Sequence, residues 1–336
     1  MKVQKQNLQT ALEIVRPGLA GKEIIEQSTS FAFKDGMVVT YNDEISVSHP
    51  VEGLDLTGAV RSEELYQFLN KVSKDEIDIS VSENEVILKA GRAKAGLRLQ
   101  EEIVLPLDEI TEGEDWIKLS EDFLSAISMV MESCSRDLSR PVLTCVHVSQ
   151  DIAEASDVFQ IMRYQMMSSM EDLDILVPAT SAKELSKIKP THISIGTGWV
   201  HFKNENETMF SCRVLEEDYP DTEKHMKVKG QKITFPKRMP EILERAMVFT
   251  KQEHQIDETM EVTLAPGTVM VKGRNDYAWF EEEAKVKYKG DEVSFHISPA
   301  LLSKILNKSN TCILGPGKIK FKGDNWEYIA ALQNRE

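Results

Sequence analysis

A short apolar strand that runs into an amphipathic helix occurs three times in this chain, at nearly equal spacing. The segments are MKVQKQNLQTALEIV from Met1, WIKLSEDFLSAISMV from Trp116 and KITFPKRMPEILERAMVF from Lys232. Leu8, Phe123 and Met239 align, 115 and 116 residues apart. A second unit, strand then helix then strand, keeps the same rhythm: GAVRSEELYQFLNKVSKDEIDISV, ILVPATSAKELSKIKPTHISI and VSFHISPALLSKILNKSNTCIL. Here Leu65, Leu185 and Leu302 align, 120 and 117 residues apart. Self-similarity of this kind sets the plan of the whole chain before any local motif is read. It divides the 336 residues into modules 1–113, 114–229 and 230–336.

Between the helices lie segments of strand type: SFAFKDGMVVTYN, ISVSENEVILKAG, HISIGTGWVHFKN, EVTLAPGTVMVKGRN and GKIKFKGDNWEYIAAL. Turn residues punctuate them at Lys34-Asp35-Gly36, Glu83-Asn84, Gly196-Thr-Gly, Pro266-Gly267 and Pro316-Gly317, which suits hairpins. Each module therefore reads as an antiparallel sheet with two helices, and the class is α+β. The first helix of each module is expected to lay an apolar stripe on its sheet: Leu8, Leu12 and Val15; Phe123, Ile127 and Val130; Met239, Leu243 and Met247. Ser62, Ser181 and Ser298 stand where N-caps belong, offering side-chain oxygens to free backbone N–H groups.

With 41% hydrophobic and 28% charged residues, the chain has the composition of a water-soluble globular protein. No apolar run approaches the roughly 18 residues that a membrane span needs. The first residues lack an apolar signal core with a cleavage site, so a cytoplasmic location is expected. Cys134, Cys145, Cys212 and Cys312 are scattered without a CxxC pair, which argues against a zinc site or a disulfide framework. They are expected to serve as small buried apolar residues.

A net charge of -15 repels polyanions at long range, yet its distribution is uneven. Residues 3–16, 62–74, 120–136, 181–189, 236–251 and 298–308, the expected helices, carry +1, 0, -2, +2, +2 and +2. Together they hold +5, so everything outside them holds -20. If the helices share a surface, Lys5, Arg16, Lys71, Lys74, Lys183, Lys187, Lys237, Arg238, Arg245, Lys304 and Lys308 offer weak contacts to a phosphate backbone. No aromatic-studded basic stripe or base-reading motif is present, so such binding to duplex DNA would be sequence-independent.

The order of motifs resembles that of one family, the bacterial β sliding clamp, the processivity subunit of the replicative DNA polymerase. GLAGKEI followed by FAFKDGMVVTYNDEISVSH is similar to the clamp's first helix exit and its sheet, and LKAGRAKAGLRL is similar to its Ser-Gly-Arg-Ser strand. SRDLSRPVLTCVHV followed by EASDVFQIMRY matches a segment that usually reads T-R-P-V-L-x-G-V and then A-T-D-G-x-R-L. LVPATSAKEL and EEDYPDTEKHM match V-P-x-x-x-x-E-L and G-R-F-P-D-Y, while the third module aligns by pattern only.

The resemblance implies a homodimer of three-module subunits, closed head to tail into a ring with helices around the DNA and sheets outside. It implies a DNA-contacting role for Lys22 in the GLAGK loop. It also implies a cleft between the second and third modules where the polymerase and the clamp loader insert short peptides. The matching positions are Leu143, Ser156, Val158, Phe159, Ile161, Pro220, Ile329, Ala331 and Leu332. Apolar pockets suit peptide anchors of this kind, although each of these residues singly reads equally well as core.

The sequence departs from the family at that cleft. Val158-Phe159-Gln160-Ile161 replaces Gly-His-Arg-Leu, and the tail YIAALQNRE lacks the usual Met-Pro-Met-Arg-Leu. A divergent clamp is implied, of the kind a bacteriophage or mobile element would carry for its own polymerase.

The stretch SCSRDLSRPVLTCVHV, Ser133 to Val148, gathers hydroxyls, an aspartate, arginines, cysteines and a histidine. Its place in the repeat makes it a helix end, a turn and a strand, not a catalytic centre. Arg140-Pro141 is expected to end the helix, because the residue before a proline is pushed out of the helical region. Ser139 and His147 then read as ordinary surface or strand residues.

Two rival readings remain at this level. One is a monomeric clamp-like scaffold without ring closure, since closure needs open edge strands on different subunits; candidates are AGRAKAGLRL and part of the third-module sheet. The other is a metal-dependent nucleic-acid enzyme using Asp172 with Asp174, or Glu281-Glu282-Glu283, although acidic runs are usually solvated. GLAGKE and GPGKIKFKG fail the spacing and context of a phosphate-binding loop, so no cofactor, no metal and no catalytic residue are expected.

Overall fold

The computed structural model describes residues 1–110, 113, 115–253 and 258–333. The expected start of the second module, residue 114, and the last three residues of the third lie outside them. The chain gathers into two compact units. The first comprises Met1–Ser128, Val148–Asp151 and Met167–Glu217; the second comprises Met129–His147, Ile152–Met166 and Asp218–Glu336. These units cut through the second sequence repeat.

Among the described residues seven helices follow one another: α1 (Lys5–Val15), α2 (Ser62–Lys71), α3 (Phe123–Val130), α4 (Ala179–Ile188), α5 (Glu223–Met226), α6 (Met239–Phe249) and α7 (Pro299–Leu306). The stripes fold as the periodicity demands. Leu8, Leu12 and Val15 of α1 and Phe123, Ile127 and Val130 of α3 are buried. On α6, Met239 and Leu243 are buried, but Ala246 completes the stripe and Met247 is only half-buried.

Three expectations about helix ends need correction. Ser62 is the first residue of α2, and its hydroxyl donates to the Thr29 carbonyl (2.7 Å) rather than capping the helix. Ser181 is the third residue of α4, which starts directly after Pro178. Ser298 does hold the N-cap position of α7, without a side-chain cap bond, and Pro299 begins the helix with its preset φ. The end of α3 also comes early. It tightens into a 3-10 turn at Met131–Ser133, and Cys134 is extended. In the polar run beyond, Ser135 and Asp137 side chains accept the backbone N–H groups of Asp137 and Ser139, an alternative to the helical ladder. Pro141 opens a separate 3-10 turn, Pro141–Thr144.

In the first unit, twelve strands form one sheet. In spatial order they are Lys2–Gln4, Glu76–Ser82, Glu85–Ala90, Ala93–Gln100, Gly58–Arg61, Ser30–Lys34, Met37–Tyr41, Ile45–Pro50, Met209–Arg213, Trp199–Lys203, His192–Ile195 and Ile117–Lys118. The first and second sequence repeats meet where Val47 faces Phe210 in an antiparallel pair. The Asp35-Gly36 hairpin turn has both residues left-handed (φ 53° and 75°), the geometry that matches the strand twist and that glycine adopts without steric cost.

In the second unit, Ile152–Ser156, Gln160–Gln165, Trp326–Ala331, Lys318–Lys322, Thr311–Gly315 and Gln231–Thr234 are successive neighbours. Met162 faces Tyr328 at the corresponding junction of the second and third repeats. A further four-stranded sheet runs Trp279–Lys285, Thr268–Arg274, Met260–Ala265 and Val293–Ile297. All the registers stated are antiparallel, as the α+β reading requires. Among the described residues no helix is long and apolar enough to cross a membrane.

Candidate functional site

The junction of repeats in the second unit opens into a cleft of about 490 Å³. Its floor comes from the paired strands Gln160–Gln165 and Trp326–Ala331, where Ile161 faces Ile329. Both isoleucines are nearly buried against Met226 of α5, with Val228 beside them. They are core residues and cleft residues at once: as a cross-strand pair they share one face of the sheet, pack on Met226 and also line the opening. Leu143 is delivered by the 3-10 turn Pro141–Thr144, and Tyr219, Pro220, Asp221 and Thr222 by the segment entering α5. Of the nine positions expected to form a peptide cleft, Leu143, Ser156, Val158, Phe159, Ile161, Pro220, Ile329 and Ala331 line this opening. Leu332 is not in its lining; its backbone N–H donates to the carbonyl of Gly317, which is.

One wall is the turn between Ser156 and Gln160. Asp157 Oδ1 accepts the N–H groups of Phe159 and Gln160, both at 3.0 Å, and the Ser156 hydroxyl donates to the Gln160 carbonyl at 2.8 Å. Ala331 N–H donates to the Phe159 carbonyl at 2.7 Å. These bonds force Val158 to φ 82°, a left-handed conformation that a β-branched residue seldom adopts. Val158 is left 56% exposed and Phe159 37% exposed, so the wall presents apolar side chains to water.

A second wall rests on a charge network built round the buried Glu154. Arg163 Nε donates to Glu154 (3.0 Å), and its terminal nitrogens donate to Glu223 (2.7 Å) and the Thr222 hydroxyl (2.7 Å). Thr222 in turn donates to Glu154 (2.7 Å), and His147 Nδ1 lies 3.2 Å from the same carboxylate. The His147 ring stacks on Tyr219 at 4.6 Å between centroids. Burial works against ionisation of Glu154, but the hydrogen bonds from His147 and Thr222 and the Arg163 charge outweigh it and hold the carboxyl below its usual range. The network ties Tyr219 and Thr222 to the sheet. His147 is thus not an ordinary strand residue, as the sequence suggested, but a member of this network. Each of these charges sits between apolar residues in a strand, Val-His-Val, Ala-Glu-Ala and Met-Arg-Tyr, a local sign of burial that does not say which of them pair.

The expected DNA-facing cations are placed less simply. Arg16, Lys22, Lys71, Lys74, Lys183, Lys237 and Lys308 are exposed. Lys5 donates to the Val72 carbonyl (3.0 Å) and Lys304 to the Glu132 carbonyl (2.7 Å). Lys187 pairs with Glu184 one turn earlier, while Arg238 and Arg245 both bind Glu282, Arg245 through two bonds of 2.8 and 2.9 Å. Within their folded bounds the six long helices hold Lys5, Lys71, Lys183, Lys187, Arg245 and Lys304 against Glu13, Glu63, Glu64, Glu184, Glu241 and Glu244. The positive excess read from the sequence therefore lies in the residues flanking the helices. Several of these, Arg16, Lys74 and Lys308 among them, follow helix C-termini, where a cation also complements the helix dipole.

Among the described residues no group of three or more His, Cys, Asp or Glu gathers in a metal-holding arrangement. Glu282, within the acidic run, is engaged by two arginines. The four cysteines are unbridged; Cys145, Cys212 and Cys312 are buried and Cys134 partly so, and burial pushes the thiols of Cys134 and Cys312 up to about 12.

No protein-family model matches the sequence, and no curated protein matches it. Solved structures match it throughout. The DNA polymerase III subunit beta from Pseudomonas aeruginosa has a TM-score of 0.87 at 16% identity, covering 100% of both chains. The DNA polymerase sliding clamp from Bacillus subtilis gives 0.85 at 18% identity, covering 100% of this chain and 99% of that one. A sliding clamp from Pseudomonas aeruginosa bound to griselimycin gives 0.85 at 17% identity with the same coverage. Over its whole length, this chain has the fold of the bacterial DNA polymerase III β sliding clamps.

Proposed function

We propose that this protein is a DNA sliding clamp, a processivity factor that encircles duplex DNA and tethers a polymerase and a clamp loader through the cleft of the second unit. The observation that carries the reading is fold agreement with solved clamps over the full length of both chains. The three modules 1–113, 114–229 and 230–336 would be the repeating thirds of each subunit.

The physical logic needs no catalytic group. A closed ring cannot leave duplex without opening, so tethering does not depend on strong contact, and weak contact favours sliding. Cations at helix flanks, several already engaged within the chain, suit that weak role. A partner held by its peptide is kept at high effective concentration near the DNA, which raises processivity without new chemistry. The cytoplasm is the expected place of action.

Ring closure would use two open sheet edges. The strand Ala93–Gln100 meets Gly58–Arg61 only at Leu99 and Gln100, so among the described residues Ala93–Arg98 pairs only with Glu85–Ala90, and Trp279–Lys285 is the end strand of its sheet. The first edge carries Lys94 and Arg98, and the second carries Glu281 and Glu283, all exposed. Opposite charges favour antiparallel pairing between subunits over pairing of like edges.

The deciding measurement is native mass by light scattering, followed by retention on circular and linear DNA. The expected result is twice 38.0 kDa and retention on circles only. A stable monomer that does not distinguish circular from linear DNA would overturn the ring and favour the scaffold reading.

A further inference from the structure

We propose that the cleft selects a peptide whose apolar anchor is flanked by carboxylates. The inference rests on the reading of this cleft as the partner-peptide site and specifies the chemistry of what enters it.

The floor of Ile161, Ile329 and Ala331 gives an aliphatic or aromatic side chain a place to bury, but no charge. Charge enters at the lining. Arg140, Lys224 and Lys318 line the cleft against a single carboxylate, Asp221. Its Oδ1 accepts the Glu223 N–H at 3.0 Å, and its one negative charge leaves the lining with a net positive balance. The protein as a whole has 55 acidic and 40 basic residues, so three cations to one acid around an opening reverses its composition. These cations are also left for a ligand. Lys224 is exposed and forms no salt bridge among the described residues, Lys318 Nζ donates to the His225 carbonyl at 3.5 Å, and exposed Arg140 shares its charge with Asp137 without a direct ion pair among the described residues. Elsewhere in the same unit Arg163, Arg245 and Lys320 each face a glutamate.

A basic opening in an acidic protein attracts acidic segments and disfavours basic ones, and it does so most at low salt. Exposed charge pairs are individually weak, so two or three together should give a preference of about tenfold rather than an absolute choice.

The test uses the full-length protein and fluorescence anisotropy of short labelled peptides carrying a Leu-Phe anchor. One has Asp and Glu on both sides; a twin has Asn and Gln; a third keeps the acids and has Ala for the anchor. The acidic peptide should bind about tenfold more tightly than the amide twin at low salt, with the gap closing near ~0.5 M salt. Lys224→Glu should narrow the gap. Equal affinity of the acidic and amide peptides, with the Ala-anchor peptide much weaker, would overturn the charge preference and leave the peptide site standing. Equal binding of the Ala-anchor and acidic peptides, or no binding of any, would instead overturn the peptide-site reading on which the inference rests.

Discussion

The two walls of the cleft are held in opposite ways. On one side, Tyr219 and Thr222 are fixed by Arg163, Glu154 and His147, charges that are mostly buried and that satisfy one another. On the other, the turn from Ser156 to Gln160 is held by short local hydrogen bonds that leave Val158 strained and Phe159 partly exposed. A network of buried charges gives position at the risk of a large loss if one member goes. A strained turn gives up about 1 kcal/mol of stability and keeps its side chains facing outward. The first wall is a fixed surface; the second is where a sequence change alters the apolar surface of the cleft at small cost to the fold.

The largest effect should come from breaking the fixed wall. Arg163→Met removes the cation from Glu154, which has 7% of its side chain exposed, and leaves a carboxylate buried among weaker partners. The expected loss is about 3 kcal/mol in urea unfolding, because an orphaned buried charge costs far more than an intact pair contributes. The double variant Arg163→Met with Glu154→Gln should recover most of it. A loss under about 0.5 kcal/mol for the single variant would show that the network is not what holds this wall, and the contrast between the walls would fall.

Acid probes the same wall more gently. The folded-state carboxyl of Glu154 lies below its ordinary value, so its contribution is fully present above the usual glutamate range. It is lost as pH falls through the lower, folded value. Stability should therefore drop on acidification below the ordinary glutamate range, and Glu154→Gln should flatten that part of the profile. Hydrogen exchange at Tyr219–Thr222 should rise over this window before exchange in Ser156–Gln160 does. Simultaneous opening of both segments would mean that they are one cooperative element.

How far the fold was legible follows from the range of the interactions. Helix stripes at Leu8, Phe123 and Met239 and the hairpin at Asp35-Gly36 depend on near neighbours in sequence, and periodicity exposes them. Motif resemblance points to nine cleft positions, and eight of them converge because Ile161 and Ile329 face one another across a strand pair whose members lie far apart in the chain. The charge network was missed. Apolar neighbours hint at burial of His147, Glu154 and Arg163, but Glu154 and Thr222 are 68 residues apart, and nothing local says which buried groups will meet. The helices look basic in the sequence because Arg16, Lys74, Lys237, Arg238 and Lys308 lie just beyond their ends, where periodicity does not mark a boundary. The serine caps failed at Ser62 and Ser181 because α2 and α4 begin at or before those residues.

The smallest effect should sharpen the second wall. Val158 is strained at φ 82° and more than half exposed, so Val158→Gly relieves backbone strain and sacrifices little packing. Glycine also makes the unfolded chain more flexible, which offsets part of the gain. The net expectation is a stabilisation of about 0.5–1 kcal/mol in urea unfolding. The reciprocal change isolates the same term. Gly36 has φ 75° and nothing within 4 Å of where a Cβ would stand, so Gly36→Val should cost about 1–2 kcal/mol from backbone strain alone. If the valine at 158 is kept for what it contacts, Val158→Gly should also weaken anchor-peptide binding while raising stability. Opposite signs in the two measurements would make this wall a place where stability is exchanged for recognition. A glycine variant both less stable and unchanged in binding would mean that the turn is simply well packed with valine.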